Sequence, residues 1–472
     1  MSKYHLLESW KIINDRCDGG IMSKKIYVKP IIQKQETGKM NKFGSVFHRN
    51  YRDNIDGVSI DDITGKFGSP VFVISETEIR NKYRHIHREF SNRYSQVQFT
   101  WSYKTNYLDA VCCVFHQEGE MAEVVSEFEY QKARRLGVPG NKIIYNGPLK
   151  SKNSLKIAFE EDAIVNLDNF DEVLRSEEVA SSIGKQAKVG IRLNMDTGIY
   201  PQWSRFGFNL ENQSAYDAAR RIHMSKHLNL NGLHAHIGTF ILDPSAYAIQ
   251  VKKMIDLKRT LETELNISID YLDFGGGFPS KNKLKGTYLP PEVAVPPIED
   301  YIEAITSTLI SNLLPEEYPT VYMETGRAMI DEAGFLITTI EGVKRMPDGV
   351  KSYIIDAGIN ILYTSNWYNF KVELDRPVQG TYENAIVYGP LCMNIDVVLE
   401  NATLPPLPRG VRLILSPMGA YNMTQWMQFI SYRPPIVMIM EEGTMEQIRR
   451  PEQLEDIVGP EYVPEKLRQF AL

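Results

Sequence analysis

The stretch "FTWSYKTNYLDAV", residues 99–111, changes character in its middle. Its first half carries the aromatic and β-branched residues of a buried strand. Its second half opens an amphipathic helix. Lys104 stands at the switch. A strand that hands over to a helix is half of a βα unit, so the fold turns on how often that unit recurs.

An apolar run, "PVFVIS" (70–75), first leads into a helical segment near 77–95. Eight runs then follow in order: FTWSYKTN, MAEVVS, IIYNGP, AIVNLD, KVGIRLN, LNGLHAHIG, YLDFGGG and TVYMETG. Each is separated from the next by enough residues for a helix. Eight such alternations predict an α/β protein built on a parallel (β/α)8 barrel of the TIM type. After about residue 335 the rhythm alters. FLITTIEGVKRM, KSYIIDAG, NAIVYGP, VRLILSP and PPIVMIM read as strands, with turns such as LPPLPRG between them. They predict a second, mostly β domain. The expected division is an N-terminal extension over 1–45, a β domain from 46–74 with 331–472, and the barrel over 75–330. Residues 1–45 are polar without a clear period, and Met22 is a candidate start of the natural chain.

A length of 472 residues suits two domains. The 43% hydrophobic and 24% charged content is that of a soluble globular protein. Lys plus Arg number 53 against 59 Asp plus Glu, and the net charge of −6 offers no footprint for nucleic acid or anionic membrane. "YHLLESWKII" is broken by Glu8 and Lys11, so no signal-peptide core is expected. No stretch is long and apolar enough to cross a membrane. Cys17, Cys112, Cys113 and Cys392 form no CxxC pair, which argues against a disulfide framework or a zinc site. A reducing, cytoplasmic compartment is expected, with Cys112 and Cys113 as packing residues.

Chemistry on such a barrel gathers at the C-terminal strand ends. Lys104 ends the first strand, His234 and His236 the sixth, Gly275 to Gly277 the seventh, and Glu324 with Arg327 the eighth. Consecutive glycines let backbone N–H groups approach an anion, and an arginine adds a bidentate grip. The set predicts a phosphorylated ligand beside a lysine and a carboxylate. Each feature alone is commonplace: a strand-end lysine is usually solvated, and a GGG is usually a turn. "HAHIG" sets two histidines on one face of a strand, but no carboxylate lies at ligand spacing, so no metal is expected. The weight comes from four unusual features on one face of one barrel.

"YKTN", "HAHIGT", "DFGGGFP", "ETGR", "GPLCMNID" and "GAYNMTQ" occur in the order and spacing of the fold-type III pyridoxal-phosphate decarboxylases. The chain resembles the diaminopimelate decarboxylases most, and the ornithine decarboxylases next. The resemblance implies that Lys104 holds pyridoxal 5'-phosphate as a Schiff base. Such an amine must be available uncharged, so its pKa is expected to be depressed. His236 then stacks on the pyridine ring. Thr239, Gly275, Gly276, Gly277, Arg327 and Tyr421 cradle the phosphate, with Gly326 beside Arg327 in the same cofactor-binding motif. Glu324 pairs with the pyridine nitrogen and keeps the ring a strong electron sink, which suits loss of CO2. Racemases of the same fold type carry an arginine there. Cys392 matches the cysteine that serves decarboxylation as proton donor in the other subunit's site. A homodimer with two shared active sites is therefore implied, with a small amino-acid substrate.

The substrate end departs from the family pattern. Thr364 stands where diaminopimelate decarboxylases carry an arginine for the distal carboxylate, although Tyr368 nearby is retained. Met393 stands where an acid meets the distal ammonium. Neither residue can replace the lost charge pair. The expected substrate is an amino acid with a modified or conjugated far end, such as units joined to citrate in siderophore assembly or to a carrier protein. Diaminopimelate itself or another basic amino acid is the alternative. A racemase or epimerase is disfavoured by Glu324 and Cys392, and a non-catalytic or inhibitory relative by the retention of Lys104 and Cys392. Asp396 is open to a substrate-orienting or a structural role. Arg192 and Glu123 are expected just behind the cofactor. Thr325 replaces the usual proline of the ETGR motif, with no functional reading attached.

Overall fold

The computed structural model describes residues 51–468 and the backbone of two short strands, Met40–Asn41 and Gly44–Ser45, which pair antiparallel. The rest of the expected extension over 1–45, with Cys17 and Met22, lies outside the described residues.

The first long strand, β1 (Val71–Ser75), is buried along its whole length. Ser75 ends it and caps the next helix, Glu76–Ser91, its hydroxyl accepting the N–H of Glu78 at 3.0 Å. The barrel strands follow: β2 (Val97–Ser102), β3 (Met121–Val124), β4 (Ile143–Tyr145), β5 (Ile164–Leu167), β6 (Ala187–Asn194), β7 (Leu228–Ala235), β8 (Tyr271–Asp273) and β9 (Thr320–Thr325). Each pairs in parallel with the next, and β9 pairs with β2 to close the ring. All eight predicted runs supply these strands. Ser126, Ser151 and Asn169 cap the helices after β3, β4 and β5, so each strand end turns sharply at the mouth. Inside the ring the Tyr271 phenol fills the space above two glycines. A Cβ on Gly232 would stand 1.9 Å from Tyr271 Cζ, so only glycine fits there.

Beyond the barrel, β10 (Gly334–Arg345), β11 (Lys351–Ile355), β12 (Lys371–Leu374), β13 (Glu383–Tyr388), β14 (Val397–Leu404), β15 (Arg412–Ser416), β16 (Ile436–Ile439) and β17 (Met445–Arg449) form a second sheet with β1. There β1 lies between β10 and β16, antiparallel to the first and parallel to the second. Its residues Val71 and Val73 join Ile55, Ile60, Ile63, Ile337, Ile414 and Val437 in a separate apolar cluster. Among the described residues no helix is long and apolar enough to cross a membrane.

Candidate active site

A cavity of about 780 Å³ opens at the C-terminal mouth of the barrel. Lys104, His236, Thr239, Glu324, Arg327 and Tyr421 all line it. Lys104 falls in the tight turn after β2, where the Thr105 N–H bonds to Ser102 O at 3.0 Å. The register of β2 against β3 sets Ser102 opposite Glu123, and the Lys104 ammonium pairs with that carboxylate. Burial pulls the lysine pKa down, but the charges of Glu123 and Glu324 outweigh it and hold the amine above its ordinary value. The expectation of a depressed pKa is therefore corrected. Two carboxylates, rather than cationic neighbours, face this lysine.

Those carboxylates share one donor. Asn146, just past β4, places Nδ2 at 2.5 Å from Glu324 Oε1 and 3.0 Å from Glu123 Oε1. The amide is oriented in turn: Tyr271 donates its hydroxyl to Asn166 Oδ1 at 2.7 Å, and Asn166 Nδ2 donates to Asn146 Oδ1 at 2.8 Å. His234 Nε2 lies 3.0 Å from the same Glu324 oxygen. Burial presses the Glu324 pKa upward, but the adjoining His234 and then the Lys104 charge hold it well below the usual carboxylate range.

The barrel also brings Asp273 to this floor. One ligand-type atom from each of His234, Asp273 and Glu324 falls within 4.8 Å of the others. The sequence placed no carboxylate near the histidine pair, because it does not display the closeness of three neighbouring strand ends. Burial and the Glu324 charge push the Asp273 carboxyl far up. The same crowding thus pushes the two carboxyl groups in opposite directions, Asp273 up and Glu324 down.

His236 sits one residue past β7. Its Nδ1 accepts the Gly276 N–H at 3.1 Å, which leaves the ring proton on Nε2. Burial lowers its pKa to about 3, so the imidazole is neutral. Trp203 packs against it with ring centres 5.4 Å apart. At the other end, the Arg327 guanidinium lies 4.6 Å above the Tyr421 ring and 5.3 Å above that of Tyr368. Its Nη1 is buried without a partner. Gly276, Gly277 and Gly326 line the same wall. At Gly277, with φ of +100°, a Cβ would stand 2.4 Å from Gly238 O. Gly275 is turned inward, its N–H donated to Asp273 Oδ1 at 2.9 Å. A buried guanidinium with an unpaired Nη1 beside cavity-lining glycine backbone fits a phosphate. A neutral imidazole and an ionised carboxylate fit an aromatic ring with a basic nitrogen.

Other expected residues lie elsewhere. Thr364 is buried and donates its hydroxyl to Asn422 Oδ1 at 2.9 Å, away from the cavity lining. Asp396 accepts the N–H groups of Ile359 and Leu391, both at 2.8 Å, so it holds the loop that carries Cys392 and Met393. Cys392 is exposed, and neither it nor Met393 lines the cavity of its own chain. Arg192 does line it, with Asp168 at 4.0 Å and Phe206 beneath its guanidinium at 4.4 Å. Sequence reasoning missed Asn146, Asp273, Trp203, Phe240 and Lys285. For the first two the signal was a polar residue at the end of a strand run.

The chain belongs to the pyridoxal-dependent decarboxylases: residues 76–331 match the pyridoxal binding domain of that family. It is a pyridoxal-phosphate-dependent amino-acid decarboxylase, a carboxy-lyase. Relatives named diaminopimelate decarboxylase include that of Aquifex aeolicus, 29% identical over 87% of this chain and 96% of its own length. That of Methanothermobacter thermautotrophicus is 26% identical over 88% of this chain and 96% of its own. Among solved structures, the Methanocaldococcus jannaschii diaminopimelate decarboxylase in complex with L-lysine superposes with a TM-score of 0.80 at 26% identity, covering 88% of this chain and 96% of its own. None of these names points to siderophore assembly or to a carrier-bound substrate.

Proposed function

We propose that this decarboxylase acts on an α-amino acid whose far end lacks the carboxylate and ammonium pair of free diaminopimelate. Lys104 would hold the cofactor covalently, His236 would cover the ring face, and Glu324 would pair with the ring nitrogen. Thr239, Gly277, Gly326, Arg327 and Tyr421 would hold the phosphate, with Gly275 and Gly276 shaping the turn, the Gly276 N–H being donated to His236. When bound, the cofactor supplies an electron sink for the pair left on Cα as CO2 departs. The observation that carries the reading is the position of Glu324 on the barrel floor, bonded by the Asn146 amide, beside His234 and lining the cavity with Lys104. A carboxylate that accepts the Asn146 amide, with its pKa held low, would keep a nearby pyridine nitrogen protonated. Glu123 holds the Lys104 ammonium whenever that amine is released. Phe240, Trp367 and Tyr368 wall part of the cavity with aromatic surface.

The buried turn of Thr364 toward Asn422 supports the substrate reading, since nothing at that position reaches a distal carboxylate. The exposure of Cys392 fits service in a partner's site, and we place the protein as a homodimer in the cytoplasm, where free thiols persist. Free diaminopimelate is the second reading, favoured by the names of the relatives. Two measurements test the proposal. Borohydride reduction of the holoprotein is expected to label Lys104 alone. A CO2-release assay across diaminopimelate, lysine, ornithine and N-acylated or citryl derivatives is expected to favour a derivative. Diaminopimelate as the best substrate overturns the substrate reading.

A further inference from the structure

We propose that Lys285 binds an anionic group at the far end of the substrate. The substrate class is then an α-amino acid with a distal carboxylate and no free ammonium beside it. This rests on reading the barrel-mouth cavity as the substrate site of a decarboxylase.

The loop after β8 supplies the geometry. Its residues Lys283–Leu284 pair antiparallel with Tyr368–Asn369, with Leu284 opposite Tyr368. The Lys285 N–H continues the ladder, donating to Trp367 O at 2.8 Å. Backbone bonds therefore fix Lys285 on the cavity rim beside Trp367 and Tyr368, both of which line the cavity with it. Tyr368 also packs under Arg327, so the rim and the phosphate wall are one continuous surface.

The charges of the lining are uneven. Among the described lining residues the acids are Glu123 and Glu324, and both are bonded to Asn146 on the floor. The cations are Lys104, Arg192, Lys285 and Arg327. Lys104 is matched by Glu123, Arg192 stands beside Asp168, and Arg327 faces the phosphate wall. Lys285 is left on the rim, paired at 2.7 Å with Glu400, whose side chain is 68% exposed. A pair this open to water holds weakly, so an anion inside the cavity can displace Glu400. Apart from Glu400, the described outer lining offers Lys285 and no carboxylate, so once Glu400 is displaced it complements a carboxylate better than an ammonium.

Two chain-matched acids provide the test. 2-Aminopimelate carries a distal carboxylate; 2-aminoheptanoate ends in a methyl group. In holoprotein bearing Lys285→Met, KM for 2-aminopimelate is expected to rise about tenfold or more, while KM for 2-aminoheptanoate stays unchanged. Calorimetric binding of 6-aminohexanoate, the decarboxylated product of 2-aminopimelate, is expected to weaken by a similar factor without any turnover. Glu400→Gln is expected to leave that binding as tight or tighter. Unchanged binding in Lys285→Met, or no binding to the unaltered protein, overturns the proposal. Absence of CO2 release from both acids with Lys285-dependent binding intact would instead sink the proposed substrate reading and leave the anion-binding role of Lys285 supported.

Discussion

The side-chain amide of Asn146 reaches Glu324 Oε1 at 2.5 Å and Glu123 Oε1 at 3.0 Å. One NH2 group, with two protons, serves carboxylates from two different strands. Replacing it with Asn146→Leu keeps the volume and removes both donors. A hydrogen bond to a charged group contributes about 1.5–3 kcal/mol. The expected result is a fall in kcat of roughly 10- to 100-fold. Steady-state assays alongside cofactor titration check it. An unchanged kcat would show that His234 alone suffices to hold Glu324.

The half-buried His236 has a linkage consequence. Its folded pKa is about 3, below the ordinary value of 6.5. Between those values the unfolded chain binds the proton and the folded one does not. Stability from this group is therefore full above about pH 6.5 and falls as pH drops toward 3, by on the order of a few kcal/mol. Other groups add their own slopes, so the comparison must be differential. His236→Gln is expected to flatten the acid limb of the melting temperature against pH. The measurement belongs on cofactor-free protein, where ligand binding does not shift the midpoint. A limb of unchanged steepness would mean that the folded chain protonates His236 as readily as the unfolded one.

Much of this was legible in the sequence for a simple reason. A strand buried on both faces reads as a short apolar run, and eight such runs at helix spacing leave few folds. Lys104, His236, Glu324 and Arg327 were visible because charge at the end of an apolar run is unusual. Asn146 and Asp273 were not, because their residue types are ordinary at turns and their importance arises only when the ring closes. The charge state of Lys104 was misjudged for the same reason. Glu123, on the next strand, becomes its neighbour only through the β2–β3 register. Thr364 shows the opposite failure: position in a motif does not reveal that a side chain points inward to Asn422. Thr325 had looked like the loss of a proline. Its hydroxyl instead lies 2.6 Å from Glu120, a buried acid held well above its ordinary pKa, so the substitution comes with a partner that local reading cannot find.

Lys150 and Glu172 are both fully buried and paired at 3.1 Å. Lys150 Nζ also donates to Gly147 O at 2.9 Å and Asn166 O at 2.8 Å, which ties the pair to the loops bearing the Asn146 network. Glu172→Gln leaves a buried ammonium without its counter-charge. Such breaks cost about 3–5 kcal/mol. The expected outcome is a lower denaturation midpoint with an unchanged m value. A loss under about 1 kcal/mol would mean that Lys150 deprotonates, as its burial-lowered pKa allows.

The last prediction concerns where Cys392 works. The thiol is exposed and does not line its own chain's cavity, whereas Lys104 does. If each site combines Lys104 of one protomer with Cys392 of the other, two inactive variants can repair each other. Lys104→Ala and Cys392→Ala homodimers are each expected to be nearly inactive. Unfolding and refolding an equal mixture forms half heterodimers by chance. In each heterodimer one site has lost both residues and the other is intact. About a quarter of the unaltered activity is then expected, because a two-fold dimer carries two equivalent sites. Mixing without subunit exchange should give none. If the exchanged mixture stays inactive although mass spectrometry finds heterodimers, Cys392 acts within its own chain, and its loop must close over the cavity during turnover.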